Sequence, residues 1–485
     1  MRITNKIIQN NSLTNINTNK TLQDQLSTML SSNKKIARPS DDPIIALRSL
    51  RLRTSVNQVT QYVEKNVEDA KSWLTVTEDA IDTLSEIITD IRKQYVKGTS
   101  DTLRPEDRRI ITDNLEALAA EIYNTGNADF AGRSVFTGFR TNTTLTFQKQ
   151  EDIDYTITET FDTVTIDSIQ YINVGDTEND VTVSDITRIR LSYDKLDSDA
   201  ANPPEFSYVR ADDATATPVT LVPTVMSSTE NPYAEILKDE NAGAAIFVPE
   251  TGELLLGKDV AADKDALSDC NVTYKRLTWD KGDLRPEHYF VCTDNTNNKV
   301  YTSPSQEGQI EYNIGVNQSL RINTTADECF SHNIVRDLQD VIEAIKDVED
   351  IEATITKLKE EYNAIDETDT AARDAVQVKI DAANKAYTFI NNKMHTLFSE
   401  SITKADAYLD RNNVALTDCG TRSKRLELIE NRLDTQLGSL KELKSENEDC
   451  DLAETAIQMK SAEYAYNASL MATSQILQES LLNYI

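Results

Sequence analysis

The sequence holds little that could bind a metal or cross-link the chain. Its five cysteines, Cys270, Cys292, Cys329, Cys419 and Cys450, are odd in number, far apart and without a Cys-x-x-Cys pair. That argues against a disulfide framework or a zinc site. The three histidines, His288, His332 and His395, are too scattered to form a metal cluster. No run of about 18 apolar residues is present, so no segment reads as a membrane-spanning helix. The opening residues, Met1-Arg2-Ile3-Thr4-Asn5-Lys6, lead into Asn10-Asn11-Ser12 and lack the apolar stretch of a cleaved signal. The expectation is a chain that stays in the cytoplasm or leaves it by a route needing no cleaved signal.

Proline is concentrated in the middle of the chain and absent from its C-terminal end. Eight of the 11 prolines lie from Pro203 to Pro304, and none follows Pro304 in a chain of 485 residues. Positive charge is also scarce. Lys and Arg number 50 against 81 Asp and Glu, a net charge of −31. Such a chain repels phosphates and anionic lipid, so neither nucleic acid nor a membrane is expected as a partner. The acid is spread along the chain, as on solvated helix faces, and forms no tail.

What is present are long helical patterns at both ends and a different pattern between them. Leu22, Leu26, Met29 and Leu30 recur at helical spacing. Asn33 can take the left-handed conformation that ends a helix. Pro39 and Pro43 then bracket Ser40-Asp41-Asp42, with Asp42 placed to cap a helix that starts at Pro43. This reads as a joint between helices. From Val56 through Val63, Ala70, Leu74, Ile81, Leu84, Ile88 and Ile91 to Tyr95 the apolar steps are 3, 4 or 7, a coiled-coil seam. At 1.5 Å per residue, the helix from Pro43 to Gly98 is a rod of about 80 Å. Pro105 opens another helix with Ile111, Leu115, Leu118 and Ile122 in its seam. Gly126, Gly132 and Gly138 punctuate Phe130, Val135, Phe136 and Phe139 as in a β-hairpin.

From about 141 to 325 the period becomes two, as in Ile153-Asp154-Tyr155-Thr156-Ile157-Thr158, and half-buried strands are expected. Helical seams return from Ile334 to Leu358, with a polar break at Glu367-Thr368-Asp369. A second helix is expected to run to about Leu416, with a further joint at Asp418-Cys419-Gly420-Thr421. Leu426, Ile429, Leu433 and Leu437 form the next seam. After Asp449-Cys450-Asp451 comes a last helix with Leu452, Met459, Tyr466, Leu470, Leu477 and Leu481. The terminal Leu481-Leu482-Asn483-Tyr484-Ile485 is apolar where chain ends are usually polar. It reads as a segment buried by a neighbour. The fold expected is mainly α with a β-rich insert, a long antiparallel helical bundle or coiled-coil rod built from both termini.

Two short motifs imitate sites. Gly252-Glu253-Leu254-Leu255-Leu256-Gly257-Lys258 has phosphate-loop spacing, but Asp259 stands where Ser or Thr would hold Mg²⁺, and three leucines suit a strand. Asp294, Thr296 and Asn298 have part of a calcium-loop spacing without its central Gly or distal Glu. No catalytic, cofactor-binding or metal-binding residue is expected, and no enzymatic activity.

Met1-Arg2-Ile3-Thr4-Asn5, Leu22-Gln23-Asp24-Gln25-Leu26-Ser27 and Pro39-Ser40-Asp41-Asp42-Pro43 resemble the N-terminus of the FlgL family of flagellar hook-associated proteins, within the flagellin superfamily. Trp73-Leu74 and Phe136-Thr137-Gly138 continue the likeness. Gly420, Arg422 and Leu426 resemble a superfamily joint, and Ser480-Leu481-Leu482-Asn483-Tyr484-Ile485 its C-terminal signature. The resemblance implies three parts. Residues 1–42 and 430–485 would be terminal helices, disordered before assembly, that form an inner core. Residues 43–140 and 326–429 would form a helical rod with the hairpin, and 141–325 an outer β-rich domain. It also implies a structural subunit of the hook–filament junction, self-associating in a ring through its terminal helices. Its partners would be the hook-side junction protein (FlgK type), flagellin, and an export chaperone on the C-terminal helix. Its place would be the extracellular flagellum. Leu22, Leu26, Leu470, Leu477, Leu481 and Leu482 are the expected assembly contacts. A filament flagellin or a secreted coiled-coil adhesin are the alternatives.

Overall fold

The computed structural model describes residues 5–482 apart from 101–102, 162–165, 200–201, 211–217, 263–266 and 303–307. Within that span the side chains of 5, 210, 267–269 and 476–482 are not described. The fold is mainly helical with a central β-rich region. Its long helices are α1 (Asn5–Ser32), α2 (Pro43–Gln61), α3 (Glu68–Gly98), α4 (Pro105–Thr125), α5 (Asn333–Ala364), α6 (Thr370–Glu448) and α7 (Leu452–Leu482). The chain divides into two compact units: a terminal unit of Met1–Asp69, Asn313–Ser319 and Arg425–Ile485, and a central unit of Ala70–Tyr312 and Leu320–Lys424. The β-rich stretch falls in one compact unit with helices α4 and α5.

Two features depart from the sequence reading. The rod that starts at Pro43 is not a uniform α-helix, because Tyr62–Val67 forms a π segment between α2 and α3. The joint expected at Gly420 is absent, since α6 runs unbroken through Asp418, Cys419, Gly420 and Thr421. A mid-helix glycine costs about 1 kcal/mol, and packing outweighs it here. Cys419 is buried with its thiol against the Leu74 carbonyl, and Arg422 donates to the Asn323 carbonyl at 2.7 Å.

In the central unit, α3 and α6 run antiparallel. Asn412 donates to the Ile81 carbonyl at 2.9 Å, Arg92 Nε reaches Asp406 at 2.6 Å, and Tyr95 meets Phe398 edge-on at 6.3 Å. Gly98 ends α3 where a Cβ would lie 2.2 Å from the Phe398 ring, so only glycine fits. Lys404 on α6 donates to Asp337 on α5 at 2.8 Å, and Tyr123 on α4 donates to the His332 carbonyl at 3.1 Å. The apolar seam of α3 buries Trp73, Leu74, Ile81, Leu84, Ile88 and Ile91.

The strands form two main sheets. One has the order β13-β12-β3-β11-β6-β7, from Lys299–Tyr301, Val291–Asp294, Glu151–Phe161, Leu267–Trp279, Glu205–Arg210 and Val219–Leu221. The other has the order β4-β5-β10-β9-β8, from Ile166–Asn173, Thr182–Arg190, Glu253–Leu256, Ala245–Val248 and Thr224–Val225. Among the described residues their pairings are antiparallel except β8 with β9. Asp129–Phe130 and Arg133–Ser134 form a short hairpin, β1–β2, whose turn residues Ala131 and Gly132 both have positive φ.

One imitated motif is a strand and the other a turn. Glu253–Leu256 is a buried strand between β5 and β9, so its amides serve the ladder. Gly252 makes the preceding turn at φ 66°. Asp294 Oδ1 accepts from Thr296 N at 2.9 Å and Asn297 N at 3.1 Å, which makes a polar turn. Among the described residues, no group of three His, Cys, Asp or Glu is placed to hold a metal, and no helix is long and apolar enough to cross a membrane.

Arg188 on β5 anchors the five-stranded sheet to α5. It is 4% exposed and bonds Asp167 at 2.9 Å, Asp340 at 2.8 Å and the buried Glu253. Arg188→Ala leaves Glu253 buried without its cation, a loss of about 3–5 kcal/mol. Denaturant unfolding checks this; a change under about 1 kcal/mol contradicts the anchor.

Candidate assembly surface

The terminal unit is built by returning α7 along α1. Asn33, at φ 55°, ends α1 in the left-handed conformation that Asn tolerates. The chain then makes an antiparallel bridge from Lys34 to Asp449, with Lys35 N donating to the Glu448 carbonyl at 2.7 Å. Asp41 Oδ2 accepts from Arg38 N at 2.8 Å and Ala37 N at 3.1 Å, folding the loop that holds the exposed Pro39 and Ser40. Asp42 Oδ1 accepts from Ile44 N at 2.8 Å and Ile45 N at 3.1 Å, with Pro43 at the first turn. Asp451 does the same for α7 through Ala453 N at 2.9 Å and Glu454 N at 3.0 Å.

Glu448 clasps the two joints together. It is 3% exposed, and Arg53 grips it through two bonds of 2.6 and 2.8 Å. Ser49 donates to it as well, and Lys34 Nζ lies 3.3 Å away. Arg53 foremost, with Ser49 and Lys34, holds its carboxyl down to about 2, against burial that would raise it. Nothing local in the sequence marks this residue, because its partners are some 400 positions away.

Beyond the clasp the seam between α1 and α7 is thin. On α7 it comprises Thr455, Met459, Ala462, Tyr466 and Ser469, with only Thr455 and Ala462 fully buried. On α1, Leu26 is 5% exposed, and Asn19 donates to Ser469 Oγ at 2.7 Å. Leu22 and Leu470, two of the expected contacts, are 45% and 42% exposed. The side chains of Leu477, Leu481 and Leu482 lie outside the described residues.

Opposite its seam, α7 carries a second one. Ile457, Ser461, Tyr464, Ala468 and Met471 are spaced by 4, 3, 4 and 3, and Ile457, Tyr464 and Met471 are 72%, 72% and 71% exposed. Only the first of these stripes is covered in the single chain. The sequence reading named Met459, Tyr466 and Leu470 but missed this outward stripe, which its heptad spacing could have shown.

Charge and exposure are divided between the units. The terminal unit holds 15 Lys and Arg against 17 Asp and Glu, and the central unit 35 against 64. Of 27 large apolar side chains exposed among the described residues, 14 lie in the terminal unit, which has 137 of the 485 residues. The unit that is nearly neutral also exposes the larger share of these apolar side chains for its length.

These ends are of flagellin type. The model of the bacterial flagellin N-terminal helical region matches residues 3–141, and that of the C-terminal helical region matches 402–485. Parts of the chain are similar to flagellar hook-associated proteins and to a flagellin. Flagellar hook-associated protein 3 of Salmonella typhimurium is 25% identical over 142 residues, which are 29% of this chain and 44% of that protein. Its namesake in Escherichia coli is 27% identical over 115 residues, 24% of this chain and 36% of that protein. A flagellin of Clostridium tyrobutyricum is 29% identical over 127 residues, 26% of this chain and 33% of that protein. The chain thus spans less than half the length of the curated relatives it matches. Among solved structures, a hook-associated protein of Vibrio parahaemolyticus is 11% identical with a TM-score of 0.37, covering 84% of this chain and 100% of that one.

Two predictions concern the joints. Asp42→Ala lowers stability by about 1 kcal/mol and Pro43→Ala by less, read by denaturant unfolding; equal stability of Asp42→Ala and the parent contradicts the cap. Glu448 has a depressed folded pKa, so its contribution is fully present above its ordinary 4.5 and is lost as pH falls through about 2. Glu448→Gln flattens the acid dependence of terminal-unit hydrogen exchange across that window; an unchanged acid limb contradicts the clasp.

Proposed function

We propose that this chain is a structural subunit of the bacterial flagellum, an adapter at the hook–filament junction. The observation that carries the reading is the division of charge and exposure between the units. A nearly neutral terminal unit with exposed aliphatic helices is suited to packing beside its copies. A central unit with 35 cations against 64 acids repels its copies and is suited to facing solvent. The flagellin-type ends and the hook-associated relatives support the same role. On this reading the terminal helices form an inner ring, and the β-rich region faces out. A hook-side junction protein (FlgK type) and flagellin flank the ring. A chaperone covers the outward stripe of α7 before export to the extracellular flagellum.

A filament flagellin is the second reading, favoured by the match to the Clostridium tyrobutyricum flagellin. Electron microscopy of cells lacking the chain separates the two. An adapter predicts bare hooks with flagellin released into the medium, whereas filaments of normal length reject it. Immunogold label at the junction alone, and not along the filament, rejects the flagellin reading.

Each buried leucine contributes roughly 1.5–3 kcal/mol, repeated in every subunit. Removing residues 477–485, with Leu477, Leu481 and Leu482, therefore leaves the circular dichroism helical but blocks incorporation. Normal filaments carrying the shortened chain contradict this placement.

A further inference from the structure

The outward stripe of α7 is matched by a face on α2. Ile44, Leu47 and Leu50 are 66%, 53% and 63% exposed, on the side of α2 opposite its buried Ala46, Ser49 and Val56. Arg48 and Arg51 share that exposed side and pair with no described residue. Helix α2 carries Arg48, Arg51 and Arg53 and no acid, whereas α7 carries Glu454, Glu463 and Glu479 against Lys460. Lys460 and Glu463 engage each other at 2.8 Å, which leaves Glu454 as the carboxylate of α7 with no cation among the described side chains.

We propose that the outward stripe of α7 in one copy docks on the Ile44, Leu47 and Leu50 face of α2 in the next copy. The inference rests on the assembly reading above and specifies its contact. Apolar side chains meet apolar ones, and the arginines of α2 border Glu454 of α7. A like-with-like contact is disfavoured on both sides. Two α2 faces would oppose arginines, and two α7 stripes would bring the Glu454 carboxylates together without a free cation. The contact is therefore heterologous, using different patches on the two copies. Such a contact repeats, closing into a ring or continuing as a helix according to its rotation. It leaves each assembly with one unfilled α7 stripe or α2 face only where the repeat stops.

The test places a photoreactive phenylalanine analogue at Tyr464 of the full-length chain. Isotopically heavy and light chains are mixed at high concentration, irradiated, and their peptides analysed by mass spectrometry. The expected result is heavy–light peptides joining α7 to residues 43–61. Leu47→Asp, an exposed change that leaves circular dichroism unaltered, should cut their yield by about tenfold, the effect of some 1.4 kcal/mol. Heavy–light peptides joining α7 to α7 overturn this pairing and leave assembly through the terminal unit standing. No heavy–light product at all overturns both.

Discussion

A helix with apolar stripes on opposite faces can bury only one of them against a single partner helix. That constraint governs this chain. Helix α7 gives its Thr455–Ser469 seam to α1 and leaves Ile457, Tyr464 and Met471 in water. Exposure of that kind is costly unless another surface covers it. The terminal unit is also nearly neutral, so on the proposed assembly reading neighbouring copies would repel one another little.

The clasp at Glu448 answers a second need. The α1–α7 seam is short of large apolar groups, with a polar Asn19–Ser469 contact in its middle. A weak seam defines its register poorly. Glu448, gripped by Arg53 and bonded to Ser49 and Lys34, fixes the point at which the last helix turns back. A buried ion pair adds modest stability, but a polar group in a fixed place can specify geometry. The same logic holds in the central unit, where Arg188 ties Asp167, Glu253 and Asp340 together and seats the sheet on α5.

Much of this was legible in the sequence, and what was legible was local. Asp42 before Pro43 is a cap written in adjacent residues, and the structure has that cap. The 3.5-residue seam of α3 and the alternation of Ile153 to Thr158 announce helix and strand through periodicity. The three leucines after Gly252 favoured a strand over a phosphate loop, and the strand is there. The failures came where distant contacts decide. Gly420 has the composition of a joint, yet contacts of Cys419 and Arg422 with residues far away carry the helix through it. The π turn at Tyr62–Val67 and the role of Glu448 leave no local mark. Leu22 and Leu470, expected at contacts between subunits, stand exposed in the single chain beside a seam that runs through Leu26 and Ala462.

The central claim is that the terminal unit is completed by other copies of itself. Hydrogen–deuterium exchange across α7, residues 452–475, measured in the free chain and in assembled flagella, tests it most directly. The account predicts fast exchange in the free chain and strong protection after assembly, with the sheets of the central unit unchanged. Equal exchange of α7 in both states would contradict it.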